Sequence, residues 1–137
     1  MSVRVLVLND PPARHLNLRG NKLTSVPAEL AGLTSLIGLD LSGNKLTSVP
    51  AALGGLATLK MLDLDKNQLT SVPEELGGLT ALTVLNLDGC RLTSVPAALG
   101  ELKALERLYL KGNSFMNSPA EWETGGALEQ SGCQIAR

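Results

Sequence analysis

Aromatic residues are almost missing from this chain: among 137 residues there is one Phe, one Tyr and one Trp. A surface that stacks nucleic-acid bases needs several aromatic faces, and a generic nucleic-acid binder needs a basic footprint. The net charge here is −1, so nucleic acid is excluded as the expected partner. Cysteine is scarce as well, and Cys90 and Cys133 make no disulfide framework. No apolar run approaches the ~20 residues of a membrane-spanning helix. The opening stretch from Met1 to Leu8 is apolar but too short and too weakly basic for a secretory signal. Histidine occurs once, at His15, which leaves little material for acid–base or nucleophilic chemistry.

Leucine is plentiful, and its spacing is regular. The segment Leu-Thr-Ser-Val-Pro occurs four times, ending at Pro27, Pro50, Pro73 and Pro96, and Pro119 follows at the same interval. Asn21, Asn44, Asn67 and Asn113 keep the same step, with Cys90 on the remaining rung. A constant period of this size marks a stacked array. Within one copy, Leu39 and Leu41 bracket Asp40 with period two, the pattern of a strand with one face inward. Leu53 and Leu56 stand three apart after Pro50, which suits a helical turn. One such coil cannot enclose its own leucines, whereas stacked coils share a continuous core. The Asn lies just after the strand, where the chain turns and buried backbone groups need partners. Its amide has both donors and an acceptor and is expected to bridge the turn and the next coil.

The pattern L-x-x-L-x-L-x-x-N-x-L followed by T-S-V-P-x-x-L-x-x-L resembles the leucine-rich repeat superfamily. It is most similar to the 23-residue class that includes the intracellular Ras-group and LAP-type proteins. The resemblance runs from Ala13 to Ala127. It implies an α/β solenoid: a curved right-handed coil with a parallel β-sheet on the concave face and short helical or 3₁₀ turns on the convex face. It also implies a non-enzymatic protein-interaction module, a scaffold or adaptor in intracellular signalling. A recognition fragment of an immune or receptor-like repeat protein is the alternative. Fold alone does not choose between them.

The expected organisation is an N-terminal cap strand and turn over residues 1–12, five 23-residue repeats over 13–127, and a degenerate C-terminal cap or tail over 128–137. Val3, Val5 and Val7 favour a strand, and Asn9-Asp10-Pro11-Pro12 a turn. Gly54-Gly55 and Gly77-Gly78 disfavour long helices. Ser71-Val72-Pro73-Glu74 has the spacing of a capping box. In the last coil Ser118, Trp122 and Gly125 replace apolar positions, and Ser131 and Cys133 fall where leucines belong. Cys90 and Cys133 are then about two coils apart, ~10 Å at ~4.8 Å per strand, beyond the ~7 Å reach of a disulfide. Free thiols fit a reducing compartment, and a cytoplasmic location is expected. A whole protein and a piece of a longer array are both compatible with the pattern.

Outward strand positions form columns on the concave face. The middle column is Asn17, Asp40, Asp63, Asn86 and Tyr109. The column two residues on is Arg19, Ser42, Asp65, Asp88 and Lys111, and the column before is His15, Gly38, Met61, Val84 and Arg107. Asp40, Asp63, Asp65 and Asp88 thus gather centrally, with His15 and Arg19 at one end and Arg107 and Lys111 at the other. The partner-binding set is therefore Asp40, Asp63, Asp65, Asp88, Asn86, Tyr109, Arg107, Lys111 and Arg19. Each Asp also reads as an ordinary solvated outward residue of the repeat. Carboxylates ~5 Å apart repel by about 1–3 kcal/mol at effective dielectrics of 80 down to 20, which a basic segment of another protein would relieve. The array is expected to be a monomer. No cofactor and no metal is assigned. A hard cation on the Asp cluster, with a metal-dependent activity, is the remote alternative, since no loop brings carbonyls to it. His15 stands two coils from Asp63 and Asp65, and no Ser-His-Asp or Cys-His arrangement is in register. Lys22, Lys45 and Arg91 form a sparse basic column at a solvated edge.

Overall fold

A computed structural model describes residues 14–94, 97–114 and 132–136. The expected cap over residues 1–12 lies outside the described residues, as do Phe115, Ser118, Trp122, Gly125 and Ser131.

Six three-residue strands form one parallel sheet in chain order: β1 (His15–Asn17), β2 (Gly38–Asp40), β3 (Met61–Asp63), β4 (Val84–Asn86), β5 (Arg107–Tyr109) and β6 (Gln134–Ala136). Parallel strands need crossover connections. Here each of the first four crossovers carries a five-residue 3₁₀ helix: η1 (Ala28–Gly32), η2 (Ala51–Gly55), η3 (Glu74–Gly78) and η4 (Ala97–Glu101). No α-helix is present among the described residues. The 3₁₀ turns follow from the sequence. A proline sets the entry, as Pro50 does for η2 with φ −68° and ψ 140°. The glycine pair then withholds helix propensity beyond one tight turn.

The capping box at Ser71 is not formed. The residue that caps η3 is Pro73, without a side-chain cap bond. Ser71 stands two residues too early, in the extended approach to the turn.

Register advances by one repeat per strand from β1 to β5: Leu16, Leu39, Leu62, Leu85 and Leu108 are paired in sequence. The last step is longer. Arg107 pairs with Gln134 and Leu108 with Ile135, whereas a constant step would bring Gln130 and Ser131 to these places. This corrects the alignment in which Ser131 and Cys133 occupy leucine positions. The extra residues lie in the connection, and Ile135 takes the inward place. Cys133 is nevertheless buried, and both cysteines are free thiols.

The core is a stack of leucines. Leu36, Leu39, Leu41, Leu46, Leu53 and Leu56 of one coil are wholly inaccessible, as are Leu59, Leu62, Leu64, Leu69, Leu76 and Leu79 of the next. Leu16, Leu18 and Leu23 of the first coil retain 8–9% exposure. Loss of one interior leucine to Ala costs about 2–5 kcal/mol in such a setting. The leucines of all coils belong to one continuous cluster, so each coil is sealed by its neighbours.

Candidate protein-binding face

The polar residues after each strand divide into two structural systems, and both bear on which side chains remain for a partner. The first is the Asn ladder. Asn44 Oδ1 accepts from the backbone N–H of Asn21 and of Leu23, at 2.9 and 3.0 Å, and its Nδ2 donates to the Leu18 and Leu41 carbonyls. Asn67 repeats this with Leu46 N–H, Leu41 O and Leu64 O, and Asn113 with Leu92 N–H, Leu87 O and Leu110 O. All three are buried. The bridge runs to the preceding coil, not to the following one. Asn21, the first rung, is exposed, and its Nδ2 donates to the Arg19 carbonyl in its own turn. Cys90 makes a thinner rung, with Sγ donating to the Leu64 carbonyl at 3.3 Å. Burial pushes this thiol up, opposed by the N–H groups of Asn67 and Leu69 and reinforced by the charges of Asp65 and Asp88. It therefore stays protonated and able to donate.

The second system is a set of Asx turns along the middle concave column. Asn17, Asp40, Asp63 and Asn86 each accept through Oδ1 from the backbone N–H two residues on, at 2.9–3.0 Å. These bonds start the turn that leaves the strand. Asp40 also accepts from the Ser42 hydroxyl at 2.6 Å, and Ser42 is buried. Tyr109 cannot accept in this way. The N–H of Lys111 is served instead by Asp88 Oδ1 of the preceding coil, at 2.7 Å. Asp40, Asp63 and Asp88 thus each keep one carboxylate oxygen in structural use. The signal for this was in the sequence: Asn and Asp are poor strand residues, yet one of them ends four strands in succession.

On the face itself, register places Asp40 beside Asp63 and Asp63 beside Asn86. Asp63, Asp65, Asn86 and Asp88 are half-buried, while Arg19, Arg107 and Lys111 are exposed. The Asp63 carboxyl lies above its ordinary pKa. Burial is the main cause, with the charges of Asp40 and Asp65 adding to it and the Asp65 N–H and Arg19 opposing it. Met61, in the neighbouring column, is an exposed large apolar side chain. At the C-terminal end Arg107, Tyr109, Gln134, Ile135 and Ala136 line a shallow recess of about 290 Å³. Gln134 and Ala136 were missed from sequence because the last step is longer than the repeat. Among the described residues, no group of three or more His, Cys, Asp or Glu side chains is placed to hold a metal ion. No helix among them is long and apolar enough to cross a membrane.

A model of the leucine-rich repeat family matches residues 11–69 and 49–92, together more than half of the chain. The chain belongs to the leucine-rich repeat family. No curated protein matches this leucine-rich repeat chain. Its fold is shared with a leucine-rich repeat protein of Leptospira interrogans, at 37% identity and a TM-score of 0.84, over 90% of this chain and 31% of that one. The leucine-rich repeat ectodomain of a receptor kinase from Arabidopsis thaliana is 31% identical with a TM-score of 0.65, over 72% of this chain and 56% of that one. An internalin from Listeria monocytogenes, 24% identical with a TM-score of 0.63 over 82% of this chain and 31% of its own, shares the fold. This leucine-rich repeat chain thus spans between about a third and a little over half of the solved relatives it matches. Leucine-rich repeat domains generally mediate protein–protein interaction, and the family is typically non-enzymatic.

Proposed function

We propose that this leucine-rich repeat array is an interaction module of a scaffold or adaptor, and that its concave face docks a basic segment of another protein. The observation that carries the reading is the environment of Asp63. Its carboxyl is half-buried beside the charges of Asp40 and Asp65 and held above the ordinary carboxylate range. A Lys or Arg brought to the exposed oxygens of this group offsets repulsion that the free protein retains. Area limits the kind of partner. Six strands at ~4.8 Å spacing span about 24 Å, and with a width of about 12 Å the face offers a few hundred Å², against about 800 Å² per partner in a standard interface. A single extended segment fits this area better than a globular domain. The two free thiols suit a reducing, cytoplasmic setting.

The test is titration of a short Lys-containing peptide into the protein at low and at high salt. Binding is expected to weaken as salt rises, because exposed charges are screened beyond about 8–10 Å at 0.1–0.15 M. Asp63→Asn with Asp65→Lys, which keeps the acceptor for the residue-65 N–H, should slow association while leaving the unfolding midpoint near wild type. Binding indifferent to both salt and this reversal would overturn the reading and move the search to the convex side. A second reading, a recognition segment of a receptor-like repeat protein, is favoured by the likeness to the receptor-kinase ectodomain. Recovery of the natural protein from a secreted or cell-surface fraction would select it.

A further inference from the structure

The concave face is not uniform along its length, and the recess between β5 and β6 adds a second kind of recognition to it. Its mouth carries Arg107, whose register neighbours Val84 and Gln134 are uncharged. Tyr109 stands beside Ala136, and the drop from a phenol to a methyl group leaves the hollow of about 290 Å³. Arg107, the Tyr109 hydroxyl and the Gln134 amide are all hydrogen-bond donors around one hollow. Among the described residues, neither acid nor metal ligand lines it. Such a donor set suits a carboxylate, which Arg binds bidentately and which a Tyr and an amide can also reach.

We propose that the β5–β6 recess receives a carboxylate side chain of the bound segment, so that the recognised sequence is bipolar: a basic residue over Asp63 and an acidic residue in the recess. This rests on the basic-segment reading above. The strand spacing fixes the separation. From β3 to β5 is two strands, ~10 Å at ~4.8 Å each, and a segment crossing the sheet in the polyproline II conformation advances ~3.1 Å per residue and returns a side chain to the same side at every third residue. The two charges of the partner are therefore about three residues apart, in the order basic-x-x-acidic or its reverse, depending on which way the segment lies. A segment with the same charges adjacent, or with two basic residues at this spacing, does not meet both features.

The experiment uses three peptides of equal length that differ at one position: Lys-x-x-Glu, Lys-x-x-Gln and Lys-x-x-Lys. At low salt the Glu peptide is expected to bind about threefold to tenfold more tightly than the Gln peptide, and the Lys peptide more weakly than either. In Arg107→Ala the Glu and Gln peptides should bind alike, at about the wild-type affinity for the Gln peptide. Ala136→Met, which fills the hollow from the other side, should give the same result. Equal binding of the Glu and Gln peptides to the wild-type protein overturns the recess proposal and leaves the acidic-centre reading standing. A Glu preference that survives both Arg107→Ala and Ala136→Met overturns it as well. Failure of all three peptides to bind overturns both readings. Matched circular dichroism and unfolding midpoints for the variants establish that changes in binding are not changes in folding.

Discussion

Along the edge that follows the sheet, neighbouring coils are joined by side chains. Asn44, Asn67 and Asn113 each hold backbone groups of two coils at once. Along the convex edge, coils are joined where side chains are missing. A Cβ on Gly54 would collide with the Glu75 carbonyl of the next turn, and one on Gly77 would stand 2.7 Å from the Ala98 carbonyl. The same repeat step is thus held by added polar atoms on one side and by omitted carbon atoms on the other. Damage to the two edges should differ in kind. Substitution by Ala removes bonds from the Asn edge and inserts a wedge into the glycine edge.

The largest expected effect is at the wedge. Gly54→Ala should lower stability by about 3 kcal/mol, because backbone rather than a pliable side chain must move. The adjacent Gly55 faces open space, so Gly55→Ala should be near neutral. Urea midpoints that coincide for the two variants would show that the convex edge is not closely fitted. Next is the ladder. Asn67→Ala leaves the Leu46 N–H buried without its acceptor, at a cost of about 2 kcal/mol. The Leu41 and Leu64 carbonyls are spared, since Asn44 and Cys90 also donate to them. The neighbouring Gln68→Ala is the control, and equal midpoints for this pair would remove the ladder from the comparison.

Smaller effects sharpen it. Cys90→Asn should stabilise by about 1 kcal/mol, because an amide oxygen replaces a weak sulfur acceptor opposite the Leu69 N–H. A midpoint unchanged or lowered would show that the thiol rung is already as good as its neighbours. Lys66 has φ +54° at the turn position that Gly20, Gly43, Gly89 and Gly112 hold in the other coils, all with positive φ. Lys66→Gly should gain about 0.5 kcal/mol, the relief of a side chain in the left-handed region less the entropy of a freer unfolded chain. A loss on denaturation would mean that the Lys66 side chain is worth more than its backbone costs. The smallest effect is a pH dependence. The Asp63 carboxyl is raised by burial, so above its folded pKa the charged group weakens the fold, and as pH falls through the raised value folded molecules take up the proton first. That penalty disappears in acid. Asp63→Asn keeps the acceptor for Asp65 N–H, as Asn17 and Asn86 do for their own turns, and should flatten this part of the stability–pH curve. A curve with unchanged slope would count against the assignment.

The leucine columns, the sheet and the position of the ladder were legible because one period repeats without interruption from β1 to β5. Three things were not. An Asp between two strand leucines reads as an outward surface residue; the recurrence of Asn or Asp at the strand ends hinted at a turn, and the placement of backbone N–H groups shows that Asp40 and Asp63 are turn formers first. The direction of the Asn bridge depends on which coil presents its carbonyls, which periodicity does not encode. The last strand lies beyond a step longer than the repeat, so a constant register set Ser131 opposite Leu108 where Ile135 stands, and left Gln134 and Ala136 out of the concave face, although Cys133 is buried as expected.

Asp88 and Lys111 bear on how such a chain could be cut and rejoined. Coil five cannot form its own Asx turn, because it has Tyr109, and it borrows the acceptor from coil four. Its repeats are consequently not interchangeable words; they have an order. Excising residues 82–104 would set Asp65 in the lender's place, and the Lys111 N–H would keep a carboxylate. Excising residues 59–104 would set Ser42 there, a short hydroxyl that in the intact protein is buried and turned toward Asp40. Shuffling of whole repeat units preserves every leucine column in either case, but only the first arrangement respects the dependence of one unit on the one before it.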